Sequence, residues 1–588
     1  VGRSDRFVRA ALNRQRDALV EVRMYATTPS VGDHGSLSAN LDHDRYHAPP
    51  ERSTNVERVD EEARIRQILG AHLRLGAHVR VRQGRPDAQA ESVPRPLLDD
   101  EGLLWAAPFE LPATVEVEAY NAIYRFTVDA LRGPEGLRSS LPSTLVHLRQ
   151  RWTRRVDLLP GDPLSAGELP LHDISYGGFS FVFDGRQEHF EPGEKLSNLS
   201  IDRDIRLDGV VRSVAGGASE RALCRVQAAP CSAADEASWR ALVDSRLHPQ
   251  TRLGGAWSSE LWSLYGACGY FGLSGTEPAQ FNALKDAFVD VSRRLEGARE
   301  VGYHVVFPSR SVGAMAALSM LKVYSRSWLG FQMAKRKGDA PEGMTGRSIL
   351  REIHLRAYEQ AQTDRDLDWL IGYIQVKPVW SRLVHHDLPQ RYVERGDASM
   401  TRFQAIEIAS SSTTDADADP TITPASSAEV VLLCATLAKS RPRAYVEGLD
   451  LTPARLDLGS NVALWHSAGM LRERTTLIAH QDGVAVAAAV VELGQDGAHL
   501  FRLLDLVRLY PLRSDAAAHY PRLLEAAGRW FGARGKPSFV LFREEGTLVD
   551  LAQIPVLKDM GFADMSILSA ALLPELLEHV CEVTAPPN

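Results

Sequence analysis

Between Arg149 and Phe181 the chain reads RQRWTRRVDL, a variable spacer and then LHDISYGGFSF, and this stretch does most to limit what the chain can fold into. Guanidinium groups crowd at Arg149, Arg151, Arg154 and Arg155, and a turn bearing Asp173, Ser175, Gly177 and Gly178 follows. Arginine presents a planar fork that binds phosphate oxygens in pairs and a flat face that stacks on a base. Asp173 and Ser175 alternate about Ile174, so in an extended strand both project to one face and can meet a base edge. The two glycines permit positive φ and a close backbone approach. Strand-like segments, VDLLP and FSFVF, flank the motifs. The combination suits a small, anionic, purine-bearing ligand.

Composition narrows the setting. A chain of 588 residues is expected to hold roughly three to five domains, and 44% hydrophobic with 24% charged residues is ordinary for globular protein. The net charge of -8 makes the basic cluster a local exception and argues against a nucleic-acid polymer as partner. Five scattered cysteines, Cys224, Cys231, Cys268, Cys434 and Cys581, without a CxxC pair, read as reduced thiols in a cytoplasmic protein with no zinc site. No transmembrane run is expected, the longest apolar stretch lying near 430–438. The segment 1–58, rich in Ser, Gly, Pro, Asp and His, holds too little apolar surface to offset its ordering entropy and is expected to be disordered.

From Asp60 a helix is expected with Ile65, Ile68, Leu69, His72 and Leu73 on one face. Alternating segments AHVRVRQGR, GLLWAAPF, ATVEVEAY and IYRFTVDA then predict a small antiparallel β-domain over 59–146. Beyond the DISYGG turn, FSFVFDG, EKLSNLSI, IRLDGVVRSV and RALCRVQ supply strands of a closed barrel over 147–236.

Taken in order, Arg151 and Arg155 as RxxxR, with Asp173, Ser175 and Gly178 as D/NxSxxG, resemble the signature of PilZ domains, receptors for the bacterial second messenger cyclic di-GMP. The resemblance implies that Arg151 and Arg155 hold phosphates and stack on guanine while Asp173 and Ser175 contact its edge. The preceding β-domain resembles, by layout, the smaller barrel of YcgR-like proteins. Gln150 stands where such proteins often carry another arginine, which leaves the ligand stoichiometry open.

The region 237–409 reads as mixed α/β, with helices over 281–295 and 347–362 and strands GYHVVFPS, ALSMLKVYS and LIGYIQVK. A Ser/Thr/Asp/Pro linker occupies 410–428. From 429 to 588 the order of helix, hairpin turning at Asp482 and Gly483, long strand, helix opened by Pro521, strand, and a late MGF before a last strand is similar to the GNAT acyltransferase fold. The expected architecture is thus multidomain: two small antiparallel β-barrels followed by an α/β (α+β) GNAT-like region, with 237–409 a candidate second copy of a tandem pair.

In that resemblance a glycine-bearing loop cradles the pyrophosphate of acyl-CoA at a helix N-terminus. Here the loop reads YPLRSDAAAHYP without glycine, with Arg513 as an electrostatic substitute. No catalytic residue carries over, and Tyr510, Tyr520 and Glu492 are acid/base types that more often serve as structural aromatics or solvated charge. GDAPEGMT at 338–345 has P-loop glycine spacing, but Met344 replaces the needed lysine. His385 and His386 are adjacent and read as loop histidines, not metal ligands. The functional expectation is a cyclic di-GMP receptor that transmits its signal to the GNAT-like region and onward to an unknown protein target. The alternative is an N-acyltransferase under cyclic di-GMP control that uses acyl-CoA.

Overall fold

The computed structural model describes residues 56–586 apart from 84–90, 121, 134–136, 150–152, 159–160, 203, 217–220, 274–277, 339, 342, 376–378 and 412–418. The segment expected to be disordered, 1–58, lies almost wholly outside the described residues, as do Arg151 and the middle of the expected linker.

The first unit contains β1 (Val56–Val59), α1 (Glu62–Leu75), β2 (His78–Gln83), β3 (Glu91–Val93), β4 (Leu97–Asp99), β5 (Gly102–Leu104), β6 (Ala113–Glu118), β7 (Ala122–Val128), β8 (Arg138–Ser139) and β9 (Leu145–Arg149). Strict alternation in AIYRFTV buries Ala122, Tyr124, Phe126 and Val128 on one face. The strands form a sheet in the order β1-β9-β7-β6-β2-β3, with β4-β5-β8 as a separate small sheet. Among the described residues the edge strands β1 and β3 do not pair, so the ladder is open where a barrel was expected. The reason lies in α1. Its Ile65, Ile68, Leu69 and Leu73 join Val79, Val115 and Phe126 in one core, so a helical layer covers the apolar face that ring closure would otherwise have to enclose.

The second unit does close. It comprises β10 (Val156–Asp157), β11 (Ser165–Ala166), β12 (Leu169–Ser175), β13 (Gly178–Phe183), β14 (Lys195–Ile201), β15 (Ile205–Ala215) and β16 (Ala222–Pro230). Pairing runs β12-β11-β14-β15-β16-β13 and returns from β13 to β12, a ring of six strands with β10 added on β12. Phe179, Phe181 and Phe183 point inward at alternate positions beside Ile174, Ile201 and Val226. Leu196 and Leu199 both face this core despite their odd spacing, because the ladder slips between them where Asn198 takes positive φ. Helix α2 (Ala233–Leu247), capped by Ser232 Oγ accepting from the Asp235 amide, lays Trp239, Val243 and Leu247 against the same core.

All remaining strands form one twelve-stranded sheet. Its first half is β17 (Arg252–Leu253), β18 (Gly302–Ser309), β19 (Gly313–Tyr324), β20 (Ser327–Lys335), α3 (Gly346–Ala361), β21 (Trp369–Ile374) and β22 (Ala398–Ala409). The second half is β23 (Ile422–Pro424), β24 (Arg472–Gln481), β25 (Val484–Gly494), β26 (Leu506–Pro511), α4 (Tyr520–Gly532), β27 (Ser538–Glu544), β28 (Val556–Ser569) and then α5 (Leu573–Thr584). The strand order is β17-β18-β19-β20-β21-β28-β22-β27-β26-β25-β24-β23. Each half therefore places its sixth strand in the other, and β22 and β28 run antiparallel at the centre. Among the described residues parallel pairing occurs only at β20–β21 and β26–β27, the same place in each half. This reciprocal topology is an internal repeat that comparison of the residues alone does not reveal. Two details differ from the sequence expectation: the strand expected through HLFRLLDLVRLY forms only from Leu506, and Met560, Gly561 and Phe562 lie inside β28, not before it. Among the described residues no helix is long and apolar enough to cross a membrane.

Candidate functional site

The two sequence motifs meet on neighbouring strands of the closed barrel. Strand β10 follows the arginine cluster directly and pairs with β12 through Val156↔Ile174 and Asp157↔Asp173, which brings the next arginine upstream over the acid. Arg155 Nη1 donates to Asp173 Oδ1 at 2.6 Å. Asp173 is buried while Arg155 stays partly open, so this charge-assisted contact sits at the barrel's edge. His172 Nδ1 lies 3.4 Å from the other Asp173 oxygen. Asp157, His172 and Asp173 hold potential ligand atoms within 4.8 Å of one another, but Arg155 already neutralises Asp173 and the other two face solvent, so this grouping reads as part of the β10–β12 rung.

Ser175 is buried and donates its hydroxyl to the Gly178 carbonyl at 3.2 Å, within the turn. Gly178 has φ +151, and a Cβ there would lie 2.1 Å from the Val226 carbonyl oxygen on β16. Its lack of a side chain is thus required by the ring of strands itself. Arg155, Asp173, Ser175 and Gly178 are brought together; Arg151 lies outside the described residues.

Sequence reasoning missed how both motifs reach α3. Arg154 Nη2 donates to the Leu247 carbonyl at 3.0 Å, its Nε lies 3.3 Å from Glu359 Oε1, and its guanidinium covers the Tyr120 ring at 5.2 Å. Tyr120 donates its hydroxyl to the Glu359 carboxylate, and His248 Nε2 sits 2.5 Å from the other Glu359 oxygen. Burial pushes the Glu359 carboxyl well above the usual range. Burial, helped by Arg154 and Arg356, holds His248 well below its own. From the turn, Tyr176 donates to Asp244 of α2, and Asp244 Oδ2 lies 3.5 Å from Arg356 Nη2 of α3. Arg356 also donates to the Thr251 carbonyl at 2.6 Å. Residues of the first unit, the barrel and the large sheet therefore share one buried polar cluster around Glu359 and Arg356. Such separations in sequence leave no local signal.

The acid/base candidates of the second half are structural. Glu492 is fully buried, with Arg472 Nη2 at 2.5 Å and Arg474 Nη2 and Arg508 Nη1 each at 2.9 Å. Burial alone would raise its carboxyl, but these guanidinium ions overcome that and hold it at about 2, so it carries no proton to donate near neutrality. Tyr510 is buried and bonded to the Tyr445 hydroxyl at 2.8 Å, and Tyr445 also donates to Glu544. Burial raises Tyr520 to about 12. Arg513, the suggested substitute for a phosphate-binding glycine loop, pairs with Asp515 at 3.4 Å.

The first half is different at the equivalent place. Strands β20 and β21 pair only as far as Gly330↔Gly372 and then part, and a cavity of about 410 Å³ opens between them. GDAPEGMT, dismissed as a P-loop, is the connection from β20 into α3. There Gly338 and Gly343 take positive φ, and Thr345 caps α3 in a reciprocal box with Ser348. His385 is not a loop histidine. It lies in a helical turn over 382–386, lines the cavity and stands with its Nε2 3.2 Å from that of His354. Burial, with His354 and His579 nearby, lowers it to about 3.

No family model and no curated protein matches the chain. Solved structures similar to parts of it include the K. pneumonia MrkH-c-di-GMP complex, at 15% identity over 32% of this chain and 96% of that one with a TM-score of 0.28. Escherichia coli YcgR in complex with c-di-GMP is similar at 14% identity, over 32% of this chain and 91% of that one, TM-score 0.25. A tandem GNAT protein from the clavulanic acid biosynthesis pathway is similar at 11% identity, over 54% of this chain and 98% of that one, TM-score 0.29.

Proposed function

We propose that this chain is a cyclic di-GMP receptor that binds the dinucleotide on its closed barrel and passes the signal to the large C-terminal sheet, which is GNAT-like. Arg151 and Arg155 serve the phosphates and guanine faces, Asp173 and Ser175 the guanine edge, and Gly178 the turn that presents them. The observation that carries this reading is the Arg155–Asp173 contact, which joins the two motifs on adjacent strands. The dinucleotide would compete for groups already paired with each other, so closing the arginine segment around it must rearrange that segment. Arg155→Ala is expected to weaken cyclic di-GMP binding at least tenfold in calorimetry, since a charge-assisted contact contributes roughly 1.5–3 kcal/mol. Unchanged affinity would remove this site.

Transmission follows from the ties to α3. Pulling on Arg154 or Tyr176 acts on Glu359 and Arg356, and both lie on the helix that also lends Tyr358 to the cavity wall. Hydrogen exchange of residues 352–361 is expected to change on addition of cyclic di-GMP in the wild-type chain and to respond much less in Glu359→Gln. An identical response in the two would place the route elsewhere.

A second reading, an N-acyltransferase using acyl-CoA under dinucleotide control, is favoured by the cavity in the first half. The glycine-bearing connection into α3 offers backbone amides at a helix N-terminus, where phosphates bind well. In the second half Arg508 follows the last β26–β27 pair, Val507↔Leu541, and its guanidinium covers the Phe542 ring at 5.1 Å. Thiol release from acyl-CoA with an amine acceptor, measured with and without cyclic di-GMP, tests it.

A further inference from the structure

The cavity in the first half carries information about what would occupy it. It is reached from both faces of the sheet. Tyr358 and Val384 line it from the side of α3, and Tyr270 and Phe501 line it from the opposite side. Its walls are chiefly apolar, with Phe331, Leu370, Ile371, Phe403, Leu503 and Leu568 among them, and Phe562, 58% exposed, also lines it. At about 410 Å³ it falls in the range of sites that enclose a whole small ligand. A two-carbon acyl group would leave most of it empty.

Several polar side chains interrupt this lining, among them Gln332, Gln375, Ser381, Ser566, His385 and His499. Gln332 lies in a bulge, where the β19–β20 ladder slips between Ala317↔Ala334 and Ser319↔Phe331, and its φ is +52. Bulges of this kind re-aim a side chain. Gln332 is 6% exposed and borders the cavity, yet neither its amide nitrogen nor its amide oxygen has a hydrogen-bond partner. A buried, unsatisfied carboxamide is costly unless a ligand completes it. The two histidines on the wall add no charge: burial lowers both His385 and His499 to about 3, so the site is neutral at physiological pH and repels no apolar chain.

We propose that this cavity receives the medium- or long-chain apolar acyl group of a pantetheine thioester, with the Gln332 carboxamide meeting the polar end of that chain. The proposal rests on the acyltransferase reading and sharpens it, by assigning the donor to the first half and its chain to a class longer than acetyl. Gly372 and Gly330 form part of the wall where the strands part, and a Cβ at either meets only ordinary contacts, the nearest at 3.7 Å from Ile374 Cγ1 and 3.5 Å from Met320 Sδ. A Cβ at either position is therefore accepted without displacing backbone.

The test is calorimetric titration of the full chain with acetyl-, octanoyl- and lauroyl-CoA. Affinity is expected to rise steeply with length, roughly fourfold for each methylene buried, and Gly372→Leu is expected to abolish that gain while leaving cyclic di-GMP binding unchanged. Gly330→Leu serves as the second variant should the first fail to fold. Lauroyl-phosphopantetheine, which carries the part that coenzyme A shares with an acyl-carrier protein, separates the sources: affinity equal to lauroyl-CoA identifies a carrier-borne donor, and much weaker binding identifies the coenzyme. Equal binding of acetyl- and lauroyl-CoA would overturn the chain-length inference and leave the acyltransferase reading standing. Binding of none of them would overturn both.

Discussion

Glu492→Gln is expected to cost about 3–5 kcal/mol of stability at the least, since removing one member of a buried ion pair leaves its partner charged and uncompensated. Here three partners are stranded at once, Arg472, Arg474 and Arg508. The loss would not stay local. Arg472 also donates to the Val323 carbonyl at 3.2 Å, and Tyr324 donates to Glu492 Oε1 at 3.1 Å, so this cluster helps to hold strands of the second half to β19 of the first. Urea denaturation followed by tryptophan fluorescence measures the effect, and a midpoint within error of wild type would refute it. The same group sets an acid limit. Its carboxyl falls from 4.5 to about 2 on folding, so between those values the unfolded chain binds the extra proton and stability rises with pH. The contribution, on the order of 3 kcal/mol at 1.36 kcal/mol per unit, is present in full above about pH 5 and drains away as pH falls toward 2. Glu492→Gln is expected to flatten that acid limb.

How much of this was legible in the sequence depends on how local its cause is. The alternation of Phe179, Phe181 and Phe183 names the barrel's inner face directly. Asp482 and Gly483, both at positive φ, mark a hairpin because few residues accept that conformation. Pro521 opens α4 as expected, since a first-turn proline forfeits no helical hydrogen bond. The exchange of β22 and β28 had no such signature: strand alternation records which face is buried but not which strand lies alongside. The same limit hid the cavity. The glycines of GDAPEGMT have the spacing of a nucleotide loop, but they belong to the connection from β20 into α3. Glu492 was read as an exposed charge or a catalytic one, and only the three arginines arriving from β24 and β26 decide that it is neither. Among the described residues the first sheet keeps β1 and β3 as unpaired edges, for a related reason. The helical pattern of Ile65, Ile68 and Leu69 was plain, but nothing in it says that the helix covers the sheet that follows.

Gly178→Ala is expected to separate two reasons for the glycine that the sequence could not. If the residue served only to let a ligand approach the backbone, alanine would leave the barrel intact and weaken binding alone. The geometry demands more. At φ +151 a side chain is strained by about 1–3 kcal/mol, and a Cβ only 2.1 Å from the Val226 oxygen forces β13 away from β16 at the Gly178↔Gln227 rung, adding roughly 1–3 kcal/mol of overpacking. The barrel should therefore loosen first. Hydrogen exchange of residues 178–183 is expected to accelerate by more than tenfold without any ligand present, and cyclic di-GMP binding to fall as a consequence. Ser175→Ala supplies the contrast: it removes one hydrogen bond within the turn, a loss near 1 kcal/mol, and is expected to leave exchange along β13 nearly unchanged. Protection retained in Gly178→Ala with binding lost would assign the glycine to the ligand after all, and would mean that β16 can yield at Val226 without opening the ring.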